Sequence, residues 1–204
     1  MLRAMPPSRR GHRPRTWAPG ALLLAALLLA SPAHAVFWHS PHDTIDAWGI
    51  SPDFARDRTL FVGLSRFDVL LRSRDAGQSY EVINAGLDTG NVQFIAVSPG
   101  FAQDHTLYCA EATRLYVSHD AGDHWVNVPL PPALRTVRAL ELSPDFVHDG
   151  VMALGSARDG VWLSRDRGAT WTAAVLPAPP EPLPGSVAGS VQHIGFSTDF
   201  HISP

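Results

Sequence analysis

Three arginines lie in equivalent short loops of a repeated sequence pattern, and their chemistry suits the binding of an anion. Arg66, Arg114 and Arg158 each occupy a polar segment between two apolar runs. A guanidinium group donates forked hydrogen bonds that match a carboxylate or a phosphate. Asp68 and Asp159 lie beside two of the arginines, and pairing with them would cancel the positive charge. The sequence predicts an anion-binding face if the arginines escape this neutralisation.

Other residues with the right types for chemistry are explained more simply by structure. His39, His42 and Asp43 could bind a metal ion, but the proline between the histidines and the terminal position favour a flexible lead-in. Asp53, Asp57 and their counterparts in later repeats could suggest calcium, although acids at this spacing also cap turns. We expect no metal, no cofactor and no catalytic residue in this chain.

An eight-residue pattern, S-x-D-x-G followed three residues later by an aromatic residue, recurs in each unit that contains an arginine loop. It occurs at residues 73–80, 118–125 and 164–171, so that the copies begin 45 and then 46 residues apart. The aspartate can accept hydrogen bonds from backbone N–H groups ahead of it, and the glycine can adopt positive φ. We therefore predict a structural turn at each copy, formed by Asp75, Gly77, Asp120, Gly122, Asp166 and Gly168.

A second repeated phrase confirms the period and predicts the fold. Ser-Pro-Asp-Phe or a close variant begins at residues 51, 98, 143 and 197. Each unit consists of a strand, this turn, a second strand, a short polar turn, a third strand, the eight-residue pattern and a fourth strand. Four short strands in a period of about 45 residues are typical of a propeller blade. The sequence predicts an all-β fold, a β-propeller of four-stranded blades.

The chain contains three complete blades and the start of a fourth, at about residues 44–87, 91–131, 136–178 and 190–204. Propellers typically close with about 4–8 blades. We therefore predict an incomplete ring, which fits a truncated gene product or fragment, or else assembly from several chains. Open blade edges expose unpaired strands, so self-association is also expected. The proline-rich residues 177–190 are interpreted as an inserted surface loop.

The eight-residue pattern resembles the aspartate-box (BNR) repeat of sialidases, sortilin-type receptors and the photosystem II stability/assembly factor family. The resemblance covers roughly residues 44–204. It implies that the box is a structural turn away from the binding face. It also implies a receptor-like or assembly-factor-like use, so we expect a non-enzymatic module that presents a loop face to a protein or glycan partner, with an anionic surface favoured.

A sialidase-like glycoside hydrolase is the alternative function. Such an enzyme would need an arginine triad, a Tyr–Glu pair as nucleophile and an aspartic acid. The Arg-Ile-Pro motif of sialidases is absent from the sequence, Tyr80 belongs to a box, and Tyr108 and Tyr116 lie in predicted strands. These observations favour binding over hydrolysis.

Residues 1–35 have the features of an export signal, with a basic start, an apolar run at 21–30 and an Ala-His-Ala cleavage site at 33–35. Export by the general or the twin-arginine route would place the protein in the periplasm or outside the cell, with no later membrane span. Removal of residues 1–35 leaves 11 arginines against 19 acids, so the net charge is 11 − 19 = −8. Nucleic acid is an unfavourable partner for so acidic a chain. The single cysteine, Cys109, is interpreted as a buried small hydrophobe.

Overall fold

The computed structural model describes residues 44–88, 91–175, 191–198 and 200, all within one unit of the chain, residues 34–204. These residues form three antiparallel sheets of four strands each, and the strands of each sheet are neighbours in sequence order. The predicted all-β architecture of four-stranded blades is therefore confirmed. None of the helices in this described part is long and apolar enough to cross a membrane.

Each blade is a meander that runs from an inner strand to an outer one. The first contains β1 (Ala47–Ile50), β2 (Leu60–Leu64), β3 (Val69–Ser73) and β4 (Glu81–Val82). The second contains β5 (Phe94–Val97), β6 (Leu107–Ala110), β7 (Leu115–Ser118) and β8 (Val126–Val128). The third contains β9 (Val137–Leu142), β10 (Met152–Ser156), β11 (Val161–Ser164) and β12 (Thr172–Ala173).

Every Ser-Pro turn contains one turn of α-helix, which the sequence patterns did not predict. In the second blade, Ser98 accepts a hydrogen bond from the Gly100 N–H (3.1 Å) and donates one to Asp104 (2.6 Å). Asp104 also accepts the Thr106 N–H at 2.8 Å, so its carboxylate closes the turn. The helices are α1 (Phe54–Asp57), α2 (Phe101–Asp104) and α3 (Phe146–Asp149), and a 3-10 helix spans Ser65–Phe67.

The hydrophobic core lies between the sheets, because a single blade cannot bury both of its faces. Phe61 of the first blade meets Phe101 of the second edge to face, with ring centroids 5.6 Å apart. Tyr108 of the second blade meets Phe146 of the third in the same way at 5.7 Å. Cys109 lies in the first of these interfaces and is fully buried, and burial raises the pKa of its thiol well above the usual value.

The fourth unit begins against the third blade. The Val191 N–H donates a hydrogen bond to the Ser156 carbonyl oxygen at 2.9 Å, and residues 191–197 form no regular strand in the described part. Three predicted segments lie outside the described residues: the export signal at 1–35, the metal-binding alternative at 39–43 and the proline-rich segment 177–190.

Candidate functional site

Each aspartate box is a turn held by its own side chains. In the third box, Ser164 donates to Asp166 (2.7 Å) and accepts the Gly168 N–H (2.8 Å). Asp166 accepts the backbone N–H of Thr170 at 2.8 Å and its hydroxyl at 2.5 Å. Gly168 has φ of 94°, a conformation that favours glycine. The carboxylate is therefore fully engaged within the turn.

The same interactions hold the aspartate ionised. In the first box, the Ser79 hydroxyl and backbone N–H, together with the Ser73 hydroxyl, lower the pKa of Asp75 to about 2. In the second box, His124 stands at the position of Ser79, and its Nδ1 lies 2.7 Å from the carboxylate of Asp120. Because the aspartate oxygens accept hydrogen bonds from residues of the same turn, the box stabilises the backbone conformation of the turn.

The aromatic residue of the box fastens its blade to the preceding one. The indole N–H of Trp125 donates to the Ile83 carbonyl oxygen at 2.7 Å, and that of Trp171 donates to the Pro129 carbonyl oxygen at 2.8 Å. A Cβ added at Gly122 would lie only 2.6 Å from a methyl carbon of Ile83. The repeat therefore specifies the interface between blades as well as the turn.

A buried arginine that the sequence patterns did not single out joins the first two blades. Arg72 on β3 is 3% exposed, and it donates to Glu81 (2.7 Å) in its own blade. Across the interface it donates to the Ala121 carbonyl oxygen (2.6 Å) and to Asp123 (2.7 Å). Its charge is thus satisfied by a structural contact. The sequence did contain a signal for this contact, because an arginine within an otherwise apolar strand needs a partner for its charge.

Two of the three predicted binding arginines have local partners. Arg66 is exposed in the 3-10 helix, with its guanidinium 5.9 Å from the ring centroid of Phe67. Arg114 lies 3.2 Å from Asp88 and 3.5 Å from Glu111. These acids neutralise Arg114, and they differ from the aspartates that the sequence suggested as competitors.

The third predicted arginine, Arg158, lines a cavity of about 330 Å³ together with Arg135 and Arg138. Neither Arg66 nor Arg114 lines this cavity. All three cavity arginines are exposed, and they come from the connector before β9, from β9 itself and from the loop after β10. The structure thus brings Arg158 together with arginines of its own blade. These three residues are called the arginine cavity below.

A β-bulge positions Arg138. The pairing of β9 with β10 shifts between Gly155 and Ser156, so that Ala139 pairs with Gly155 and Val137 pairs with Ser156. Arg138 is the extra residue between these pairs. Because a bulge redirects a side chain relative to regular alternation, a sequence pattern of period two could not place Arg138 in this cavity.

Asp159 is the acidic residue of the arginine cavity, and its carboxylate already accepts hydrogen bonds from neighbouring residues. It accepts the Arg135 N–H at 3.0 Å and the Ser156 hydroxyl at 2.8 Å. These two hydrogen bonds, and the charges of Arg135 and Arg158, lower the pKa of Asp159. Three arginines therefore line the cavity beside one carboxylate, so the cavity keeps an excess of positive charge in a chain that is acidic overall.

Comparison with protein families identifies one match. The model for the family described as sortilin, neurotensin receptor 3 (Sortilin-Vps10) matches residues 68–175, which is 108 of the 204 residues. No curated protein matches the sequence.

Solved structures resemble the chain at low identity. U3-55K is 10% identical, with a TM-score of 0.52 over 68% of this chain and 41% of that one. The GH74 enzyme from Niastella koreensis is 16% identical, with a TM-score of 0.51 over 64% and 21%. YCF48 from Cyanidioschyzon merolae is 17% identical, with a TM-score of 0.49 over 66% and 38%. The chain thus spans less than half of each structure, and the likeness to the first two shows the fold alone.

Proposed function

Since this chain belongs to the Sortilin-Vps10 family, we propose that it is a non-enzymatic binding module whose arginine cavity takes an acidic segment of a partner protein. The observation that carries this proposal is the convergence of Arg135, Arg138 and Arg158 on one cavity beside a single, already engaged carboxylate. Guanidinium groups suit carboxylates, which they can bind through paired hydrogen bonds.

The overall charge does not oppose this binding. The acids of the chain act on a partner only within a Debye length of about 8–10 Å at physiological salt. A local excess of arginine can therefore attract an anionic segment to an acidic protein. Arg114 contributes less, because Asp88 and Glu111 lie within 3.5 Å of its guanidinium.

The test is binding of a fluorescein-labelled hexaglutamate peptide, followed by anisotropy at low and at physiological salt. Changing Arg135, Arg138 and Arg158 together to Gln should weaken binding by about tenfold or more and flatten its salt dependence. The matched control is the triple Gln variant of Arg66, Arg114 and Arg165, which removes the same charge outside the cavity.

Equal weakening by both triple variants would show that net charge, not the arginine cavity, attracts the peptide. Unchanged binding in the first variant would refute the proposal. An anionic glycan, such as a heparin oligosaccharide, serves as a competitor: displacement of the peptide at lower concentration by the glycan would assign the cavity to glycans instead.

The sialidase-like alternative would use a tyrosine nucleophile. The tyrosines of the chain are Tyr80, Tyr108 and Tyr116, and burial raises the pKa of each, that of Tyr108 to about 12. Tyr108 also donates to the Arg167 carbonyl oxygen at 3.0 Å. A raised pKa disfavours the phenolate, so this chemistry supports binding over hydrolysis. Release of 4-methylumbelliferone from its sialoside by the full chain would overturn this preference.

We further propose that the protein works outside the cytoplasm, in the periplasm or in the medium. The support is the basic start, apolar run and Ala-His-Ala site within residues 1–35. N-terminal sequencing of the protein recovered from its host should begin at Val36. A mature protein that retains residues 1–35 would contradict this proposal.

A further inference from the structure

Residues of the innermost strands of the blades line a second cavity, which shares Arg138 with the arginine cavity and otherwise has different lining residues. It encloses about 300 Å³ where β1, β5, β9 and residues 192–194 meet, which is the lower end of the range for small-ligand pockets, about 300–1,000 Å³. The aromatic residues Trp48 and Phe94 line it together with several polar side chains: Asp46, Gln93, Arg138, Glu141, Gln192 and His193.

Trp48 presents an aromatic surface to this cavity. Its side chain is 67% exposed, and it has no hydrogen bond or ring contact among the described residues. The equivalent positions of the other repeats, three residues before each Ser-Pro serine or its counterpart, are the aliphatic Ile95, Leu140 and Ile194. The repeat architecture therefore does not require an aromatic residue here, and a large exposed ring suits contact with a ligand.

Glu141 supplies an acceptor in the same cavity. The equivalent positions, two residues before each serine, are Gly49, Ala96 and Gly195. Glu141 is half-buried, and its carboxyl has no hydrogen bond or ion pair within the described part of the chain. Burial raises its pKa. A carboxyl that is partly desolvated without a protein partner is suited to accept hydrogen bonds from a ligand.

The mixture of groups selects the chemical class of the ligand. The amides of Gln93 and Gln192 both donate and accept hydrogen bonds, the guanidinium of Arg138 donates, and the carboxylate of Glu141 accepts. Sugar hydroxyls donate and accept in the same way, and the C–H face of a sugar ring packs on an indole such as that of Trp48. Arg138 and the carboxylates of Asp46 and Glu141 bring both signs of charge to the cavity, which therefore lacks the concentrated positive charge that a strongly anionic ligand needs. We propose that this cavity binds a neutral oligosaccharide.

The experiment is titration of the full chain with cellotetraose and with chitotetraose, measured by calorimetry and by tryptophan fluorescence. At least one of the two should bind saturably at millimolar or lower concentration. Trp48→Ala should weaken that binding by tenfold or more, and Trp48→Phe should retain part of it. Glu141→Gln, which keeps an acceptor but loses the carboxylate, should weaken it severalfold.

The matched control is Phe67→Ala, because Phe67 is also exposed (51%) but does not line the cavity. This variant and the Gln variants of Arg135 and Arg158 should bind the sugar as the wild type does, which separates this proposal from the arginine cavity. The proposal is overturned if neither sugar binds, or if Trp48→Ala binds as tightly as Phe67→Ala.

Discussion

Replacing Arg72 by alanine should destabilise the fold far more than replacing an exposed arginine. The guanidinium donates three hydrogen bonds of 2.6–2.7 Å, two of them across the interface between blades. Removing one partner of a fully buried ion pair costs about 3–5 kcal/mol. Here Glu81 and Asp123 are 29% and 51% exposed, so water replaces part of the lost interaction. We therefore expect the free energy of unfolding to fall by about 2–3 kcal/mol.

The assay is urea unfolding followed by far-UV circular dichroism, with the midpoint and the slope compared between variants. The matched control is Arg74→Ala: Arg74 is 57% exposed and lies 3.7 Å from the same Glu81 carboxylate, so its loss should cost less than about 1 kcal/mol. Arg72→Met keeps most of the apolar stem and separates packing from hydrogen bonding. If Arg72→Ala and Arg74→Ala have the same urea midpoint, the hydrogen bonds of Arg72 do not stabilise the interface between the two blades.

Three further predictions concern the aspartate boxes. Gly122→Ala should lower the urea midpoint more than Gly160→Ala, because both glycines have positive φ (98° and 73°) but only Gly122 lacks space for a Cβ; equal effects would exclude crowding as the cause. Trp171→Phe should lower the free energy of unfolding by about 1 kcal/mol through loss of its hydrogen bond to the Pro129 carbonyl oxygen, and an unchanged urea curve would contradict this. Since the pKa of Asp75 is lowered from 3.8 to about 2, its contribution to stability is present above pH 3.8 and is lost as the pH falls toward 2. Thermal melting of Asp75→Asn should accordingly vary less with pH across this window than melting of the wild type, and identical pH profiles would count against the box as a stabilising turn.

The fold was largely predictable because its signals are local. The turn chemistry of Ser, Asp and Gly repeats at a fixed spacing, and each turn is closed by residues within eight positions of one another. The one-turn helices α1, α2 and α3 escaped prediction because four residues are too few to show helical periodicity. Local pattern therefore predicted the sheets and missed the one-turn helices.

The contacts between blades could not be predicted from the sequence. Arg72 reaches a carbonyl group 49 positions away, and Trp125 reaches one 42 positions away. Nothing in a single repeat reveals which neighbour such a side chain meets. The grouping of the arginines was beyond the sequence for a related reason: Arg158 was identified from its loop, but Arg135 and Arg138 join it only because of a connector and a β-bulge.

The topology of a four-stranded meander places the aspartate boxes and the proposed binding loops at opposite ends of each blade. The turns between first and second strands and between third and fourth strands share one end of the blade. That end contains the Ser-Pro turns and the aspartate boxes, whose carboxylates are engaged in hydrogen bonds within the turns, as in Asp104 and Asp166. The loops between second and third strands lie at the other end, and Arg158 belongs to one of them. The exposed guanidinium of Arg158 has no hydrogen bond or ion pair among the described residues, so this side chain can be replaced without loosening the interfaces between blades.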